Sequence, residues 1–217
     1  MTTHDIRPLT ARDARGAGAL LGRAFDDSPG YAALLPHLSG ERRLRAITRV
    51  KRGFVEAAIR HQTPRGLWVD GRLAGVSLVL APGAYPVPVL VEAWQSSGCA
   101  TTGLTGILHF IRMRSYLAKK HLEGQHFYLF VLGVDLDHQR RGLGKALLGV
   151  LHDEADAKGL PCYLETDKPT NVRLYESVGY RVLSEEDVPR IARCRMWTMA
   201  RPCRGAEDSL AAPARSR

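Results

Sequence analysis

The residues best suited to chemistry sit in one short turn. Gln139-Arg140-Arg141-Gly142-Leu143-Gly144 follows an apolar run ending at Val134 and opens a stretch of helical periodicity. A helix N-terminus presents backbone N–H groups with no intrahelical acceptor and a partial positive charge, so it attracts phosphate. Glycines at 142 and 144 let an anion approach the backbone with no Cβ in its way. Arg140, Arg141 and Lys145 add positive charge at the same end. Spacing removes two rival phosphate turns. A dinucleotide fingerprint needs GxGxxG, but Lys145-Ala146-Leu147 follows Gly144. A P-loop needs Ser or Thr after Gly-Lys, but Ala146 stands there and no glycine occupies 139. A second cluster lies downstream: Asn171 and Tyr175, four apart and so on one helical face, after Glu165 in Leu164-Glu165-Thr166-Asp167.

Several elements must position these groups. Asp5–Leu9 reads as a first strand, and Thr10 caps a helix running from Asp13 to Phe25, broken by Asp26-Asp27-Ser28-Pro29-Gly30. Gly40 to His61 carries Leu44, Ile47, Val50, Phe54, Ala58 and Ile59 at helical spacing. Leu67–Val69 and Gly75–Leu80 flank Asp70-Gly71, a hairpin signal. Pro82 to Pro88 reads as a loop, and Val89 to Lys120 is mostly helical in tendency. His126–Val134 is a β-forming run, Gly142–Lys158 a helix, and Cys162–Thr166 the next strand. A short helix over Thr170–Val178 and strands at Tyr180–Leu183 and Arg193–Met199 complete the pattern. The order implies a mixed α/β domain: a largely antiparallel sheet flanked by helices, with one crossover helix joining two later strands.

The whole chain narrows the function classes. Its 217 residues, 45% hydrophobic, suit one globular domain. We expect that domain over 1–201 and a disordered tail over 202–217, rich in Ala, Arg, Ser and Pro. No stretch nears the roughly 18 apolar residues of a membrane span, and Met1–Asp5 lacks a secretory pattern, so a cytoplasmic protein is expected. Cys99, Cys162, Cys194 and Cys203 have no metal-like spacing and read as free thiols; no metal is expected. The formal net charge of +9 is spread out, and aromatics do not interleave with it, so no nucleic-acid partner is expected. The Arg42–Arg52 cluster, Lys51 included, reads as a solvated helix face.

The turn resembles motif A of the GNAT superfamily, Arg/Gln-x-x-Gly-x-Gly/Ala, with Gln139, Gly142 and Gly144 in the defining places. LETDKPTNVRLYESVGY, Leu164 to Tyr180, is similar to the same superfamily's motif B, and within it to the puromycin-acetyltransferase-like branch. The resemblance implies the GNAT acyl-CoA N-acyltransferase fold, acetyl-CoA (coenzyme A) as donor and a primary amine as acceptor. The acceptor would be a small molecule, an aminonucleoside or aminoglycoside antibiotic among the options. A protein N-terminus or lysine, or a non-catalytic CoA-binding module, stand as alternatives. A monomer or homodimer is expected.

Residue by residue, the resemblance implies that the amides of Arg140, Arg141, Gly142, Leu143, Gly144 and Lys145, with Gln139, hold the diphosphate. Leu132, Gly133 and Val134, on a strand that splays from its neighbour, would pair with the pantetheine arm, and Asn171 would bond its amides. Tyr175 would contact the same ligand and protonate the leaving thiolate. Amine attack also needs a base. Glu165 beside the thioester is one candidate, His126 another with a suitable ordinary pKa, and Tyr128 a third. Asp26 and Asp27 could attract a cationic amine, or be turn residues that end a helix; Tyr31 would join them in substrate binding.

Overall fold

In the computed structural model the described residues are 4–86 and 101–205. They form seven strands, β1 (His4–Pro8), β2 (Arg65–Val69), β3 (Arg72–Leu80), β4 (Phe127–Val134), β5 (Cys162–Thr166), β6 (Arg181–Asp187) and β7 (Arg195–Arg201), in one sheet ordered β1-β2-β3-β4-β5-β7-β6. The β4–β5 pair alone is parallel; the other neighbours run antiparallel. The mixed, largely antiparallel sheet is thus present. Asp70 and Gly71 both take positive φ (49° and 77°), the two-residue turn whose twist suits a hairpin.

Among the described residues six helices flank the sheet: α1 (Ala14–Ala24), α2 (Pro29–Leu34), α3 (Gly40–His61), α4 (Gly103–Lys120), α5 (Leu143–Ala157) and α6 (Pro169–Glu176). Thr10 does not cap α1 through its own side chain. Asp13 Oδ2 instead accepts from both the Thr10 N–H (2.8 Å) and its hydroxyl (2.7 Å), the reciprocal half of a capping box. The expected break after Phe25 becomes a new helix, because the Ser28 hydroxyl accepts from Tyr31 N–H and Pro29 presets the first turn.

α1 and α3 pack together on one face, over Val76, Leu78 and Val131. They approach closely at Gly18, where a Cβ would sit 2.7 Å from Arg52 Cβ. The other face holds α5 and α6, where Leu148 and Leu151 meet Leu129, Leu164 and Met199. α5 is the β4-to-β5 crossover, burying Leu143, Leu147, Leu148, Leu151 and Ala155. A third cluster joins α2, α3 and α4 through Tyr31, Ile47 and Met113.

Pro202 and Cys203, assigned to the tail, are buried, and Arg204 N–H donates to Asp156 Oδ1 at 2.9 Å. Residues 206–217, and the parts of the expected loop and helical stretch over 87–100, lie outside the described residues, as does Cys99. Cys162, Cys194 and Cys203 are free and buried. No helix among the described residues is long and apolar enough to cross a membrane.

Candidate active site

Strand β4 builds the centre of the site by changing partners along its length. Phe127, Tyr128 and Leu129 pair with Cys162, Tyr163 and Leu164, and the pairing with β5 stops there. On the β3 side Leu78 faces Val131 but Val79 faces Leu129, so Phe130 is an extra, bulged residue. The bulge bends β4 away from β5. Beyond it Leu132, Gly133 and Val134 keep their β3 partners while their other edge is open, the splay expected for an extended ligand that pairs like a strand.

The open edge runs into the glycine turn. Gln139 Nε2 donates to the Val134 carbonyl at 3.2 Å, which folds the turn back on the strand end; Gln139 holds the turn rather than reaching for an anion. Arg140 (φ 61°) and Gly142 (φ 80°) both adopt the left-handed region. The first helical bond of α5 runs from Ala146 N–H to Gly142 C=O at 3.0 Å, so the Leu143, Gly144 and Lys145 amides precede it. Gln139, Arg140, Arg141, Gly142 and Lys145 are solvent-facing, Leu143 is buried, and Gly144 has only Val134 Cγ2 near its missing Cβ, at 3.8 Å. Free amides, no crowding side chain and three cations fit a diphosphate.

A cavity of about 700 Å³ opens beside the splay. Leu132, Asn171, Tyr175, Glu165, Tyr128 and Tyr31 all line it, so it unites the strand, the short helix and the acceptor-side tyrosine. Asn171, which lines the cavity, donates a side-chain N–H to Thr166 Oγ1 at 3.1 Å. Tyr175 is 7% exposed and its hydroxyl has no protein hydrogen-bond partner among the described residues. Burial, reinforced by the Asp167 charge, pushes its pKa up, so the phenol keeps its proton.

Glu165 sits in a proton-ordered chain. Its Oε2 accepts the Tyr128 hydroxyl at 2.6 Å, and burial, then the Glu165 charge, hold that phenol well above its ordinary pKa. Glu165 Oε1 is buried with no hydrogen-bond partner, 3.8 Å from His121 Nδ1. At the far end His126 Nδ1 lies 2.9 Å from the Gly124 carbonyl, which only accepts, so this nitrogen carries the hydrogen. Burial lowers the His126 pKa, with His121 adding to the effect, so the ring is neutral and its Nε2 accepts from His121 Nε2–H at 3.0 Å. That fixes both tautomers and turns His121 Nδ1 toward Glu165 Oε1. Tyr85 stacks on His121 with ring centroids 3.6 Å apart and fixes its plane.

Three expectations change. His126, a candidate base, is 6% exposed and does not line the cavity; it orients His121. Asp26 and Asp27 do not line the cavity either. Asp27 is paired with Lys168, and Asp26 lies 3.8 Å from Arg43. The cavity carboxylate next in line is Asp167, whose Oδ2 accepts from Ser28 Oγ and from Gly30 N–H at 2.7 Å. Nor is Lys51 part of a solvated face: it is 4% exposed and lines the cavity. His121, Asp167 and Lys51 carry no motif that the sequence reading could have used, though Asp167 lies inside the matched Leu164–Tyr180 run.

Residues 86–180 match the family model described as Acetyltransferase (GNAT) family. An uncharacterized N-acetyltransferase of Schizosaccharomyces pombe is 26% identical over 189 residues, covering 79% of this chain and 72% of that protein. The ribosomal protein bS18-alanine N-acetyltransferase of Escherichia coli is 42% identical over 55 residues, but these are 24% of this chain and 37% of that protein. Among solved structures, a histone acetyltransferase HPA2 and related acetyltransferase from Corynebacterium glutamicum superposes with TM-score 0.64 at 19% identity, covering 94% of this chain and 97% of that one. The PaiA N-acetyltransferase of Thermoplasma acidophilum, in complex with coenzyme A, gives TM-score 0.55 at 13% identity over 92% and 99%.

Proposed function

We propose that this chain is a GNAT acetyltransferase that takes acetyl-CoA as its donor and acetylates a primary amine of a small molecule with an apolar body, a reading supported by the match of residues 86–180 to the GNAT family model. One observation carries the acceptor side: the cavity beside the split in β4 is walled by Phe25, Tyr31, Phe54, Phe110, Tyr128 and Phe130, a surface suited to an apolar ligand rather than a polar peptide backbone.

Acetyl-CoA supplies an acyl carbon made electrophilic by its thioester. The chain does the rest. The Leu143, Gly144 and Lys145 amides anchor the diphosphate, and the free edge of Leu132, Gly133 and Val134 aligns the pantetheine arm. Asn171 offers its side-chain carbonyl to an amide of that arm. Glu165 Oε1 takes the proton from the attacking amine, directly or through water, and His121 Nδ1 shares it. His121 and His126 are positioning residues: they hold that oxygen's partner in one tautomer. Tyr175, which burial keeps protonated, would offer its phenolic hydrogen to the leaving sulfur as negative charge develops there. The buried, reduced thiols of Cys162, Cys194 and Cys203 agree with a cytoplasmic enzyme.

The acceptor is found by thiol release over a panel of arylalkylamines, alkylamines, aminoglycosides and aminonucleosides. The last two follow from the likeness of Leu164–Tyr180 to the puromycin-acetyltransferase-like branch. Peptide N-termini belong in the same panel, because the local match to the bS18-alanine enzyme favours that second reading. Turnover of peptides alone would replace the small-molecule reading.

A further inference from the structure

Lys51 is the unexplained charge in this cavity. It lies on α3, 4% exposed, and its ammonium has neither a hydrogen bond nor an ion pair among the described residues. Only ring faces hold it: the nitrogen is 3.4 Å from the Phe25 centroid and 5.0 Å from that of Tyr31. Ring faces attract a cation weakly compared with the cost of removing it from water. Burial accordingly pulls the Lys51 pKa down to about 7, a change that the Asp167 charge only partly offsets.

The carboxylates on the same wall are committed elsewhere. Asp167 Oδ2 is held by Ser28 and Gly30, and Glu165 faces Tyr128 and His121. Among the described residues neither comes within ion-pair distance of Lys51, so the cavity wall carries a desolvated amine that an entering anion would hold in its charged form. We propose that Lys51 docks an anionic group on the acceptor, so that the acceptor is an amine carrying a carboxylate on an apolar body. A carboxylate matches a single ammonium flanked by rings; a phosphate, with more charge and more acceptor oxygens, would leave most of them without a donor. The amine end then lies toward Glu165, the acid end toward Lys51, and the apolar body against Phe25, Tyr31 and Phe54. This inference rests on the acetyltransferase reading above and names its substrate class.

The test pairs acceptors that differ only in the acid. ω-Amino carboxylates of increasing length are compared with n-alkylamines of equal length, and 4-(aminomethyl)benzoate with benzylamine, at saturating acetyl-CoA. The wild type should prefer the acid of a matched pair at one chain length by roughly tenfold or more in kcat/KM, the preference of a desolvated ion pair. Lys51→Met, which keeps the volume and removes a buried charge, should abolish that preference. The proposal is overturned if the wild type shows no preference for the acid at any length. It is equally overturned if Lys51→Met retains the preference, or weakens acetyl-CoA binding instead. Calorimetry with phenylacetate reads the site without chemistry: the wild type should bind it and Lys51→Met should not. Failure of every amine in the panel with phenylacetate binding intact would indict the acetyltransferase reading; normal turnover with no phenylacetate binding would indict the anion site.

Discussion

The two glycines of the turn over 139–144 should respond to the same substitution with opposite signs. Gly142 has φ 80°, and nothing lies within 4 Å of the position its Cβ would take, so Gly142→Ala meets no neighbour. Its cost is the left-handed backbone alone, about 1–2 kcal/mol for an L-residue. Gly144 is in the first turn of α5 with ordinary helical φ, and its Cβ would meet Val134 Cγ2 at 3.8 Å, normal van der Waals contact. Gly144→Ala therefore trades unfolded-state freedom for a better helix former and gains roughly 0.4–1 kcal/mol. For a domain of this size each kcal/mol moves Tm by about 2–4 °C, so the two variants should melt on either side of the wild type, several degrees apart. Urea unfolding of the ligand-free protein gives the free energies, with equal m-values confirming that only stability changed. Repeating the melts with saturating acetyl-CoA asks whether the turn still binds; Gly144→Ala should keep its ligand-induced rise, as the family pattern admits alanine there. Destabilisation by Gly144→Ala, or a matching shift in both variants, would refute the assignment of left-handed strain to Gly142 alone.

Tyr175→Phe should lower kcat by roughly 100-fold with little change in the KM for acetyl-CoA, because it removes a proton donor while the ring keeps its packing against Tyr180. Unchanged kcat would exclude the phenol as the acid. Glu165→Gln retains an acceptor for the Tyr128 hydroxyl and so should fold, yet lose roughly 100-fold or more in kcat/KM; His121→Ala should lower the rate less, with an altered pH profile. A His121→Ala profile identical to wild type would remove it from the site. Stability should also fall in acid through His152, whose pKa burial lowers from 6.5 to about 4, with Arg201 adding to the shift. The unfolded chain binds this proton and the folded one resists it, so stability present at pH 7 is lost as pH falls from about 6.5 toward 4. With partial exposure allowed for, the loss is roughly 1–2 kcal/mol; His152→Gln should flatten that part of the curve, and an unchanged slope would contradict the account.

The parts of this protein that follow repeating patterns were readable from the chain. α3 spans Gly40–His61 and β5 Cys162–Thr166, the bounds expected from periodicity and flanking turn residues, and Asp70-Gly71 made the hairpin. The geometry of the glycine turn was legible because what makes it, free amides without Cβ atoms, is local in sequence. The acceptor side was not, because it is assembled across the fold. α2 has six residues, too few to show a period, yet it places Gly30 against Asp167 from the other end of the chain. Lys51 shares an apolar stripe with cationic neighbours, and only the packing of α1 against α3 decides that it points inward. His121 matters through a ring nitrogen of His126 and a carboxylate on another strand, a relation that spacing does not encode.

The split in β4 has a cost away from catalysis. A strand with one unpaired edge is a template for another chain, and sheet proteins usually blunt such edges with charge, proline or a covering element. Here Leu132, Gly133 and Val134 could carry none of these without closing the slot proposed for the donor arm. On the proposed reading the donor would also cap this edge. Ligand-free protein should be the form prone to sheet-to-sheet self-association during synthesis and storage, so acetyl-CoA or CoA in the buffer would serve as a solubility agent as much as a substrate.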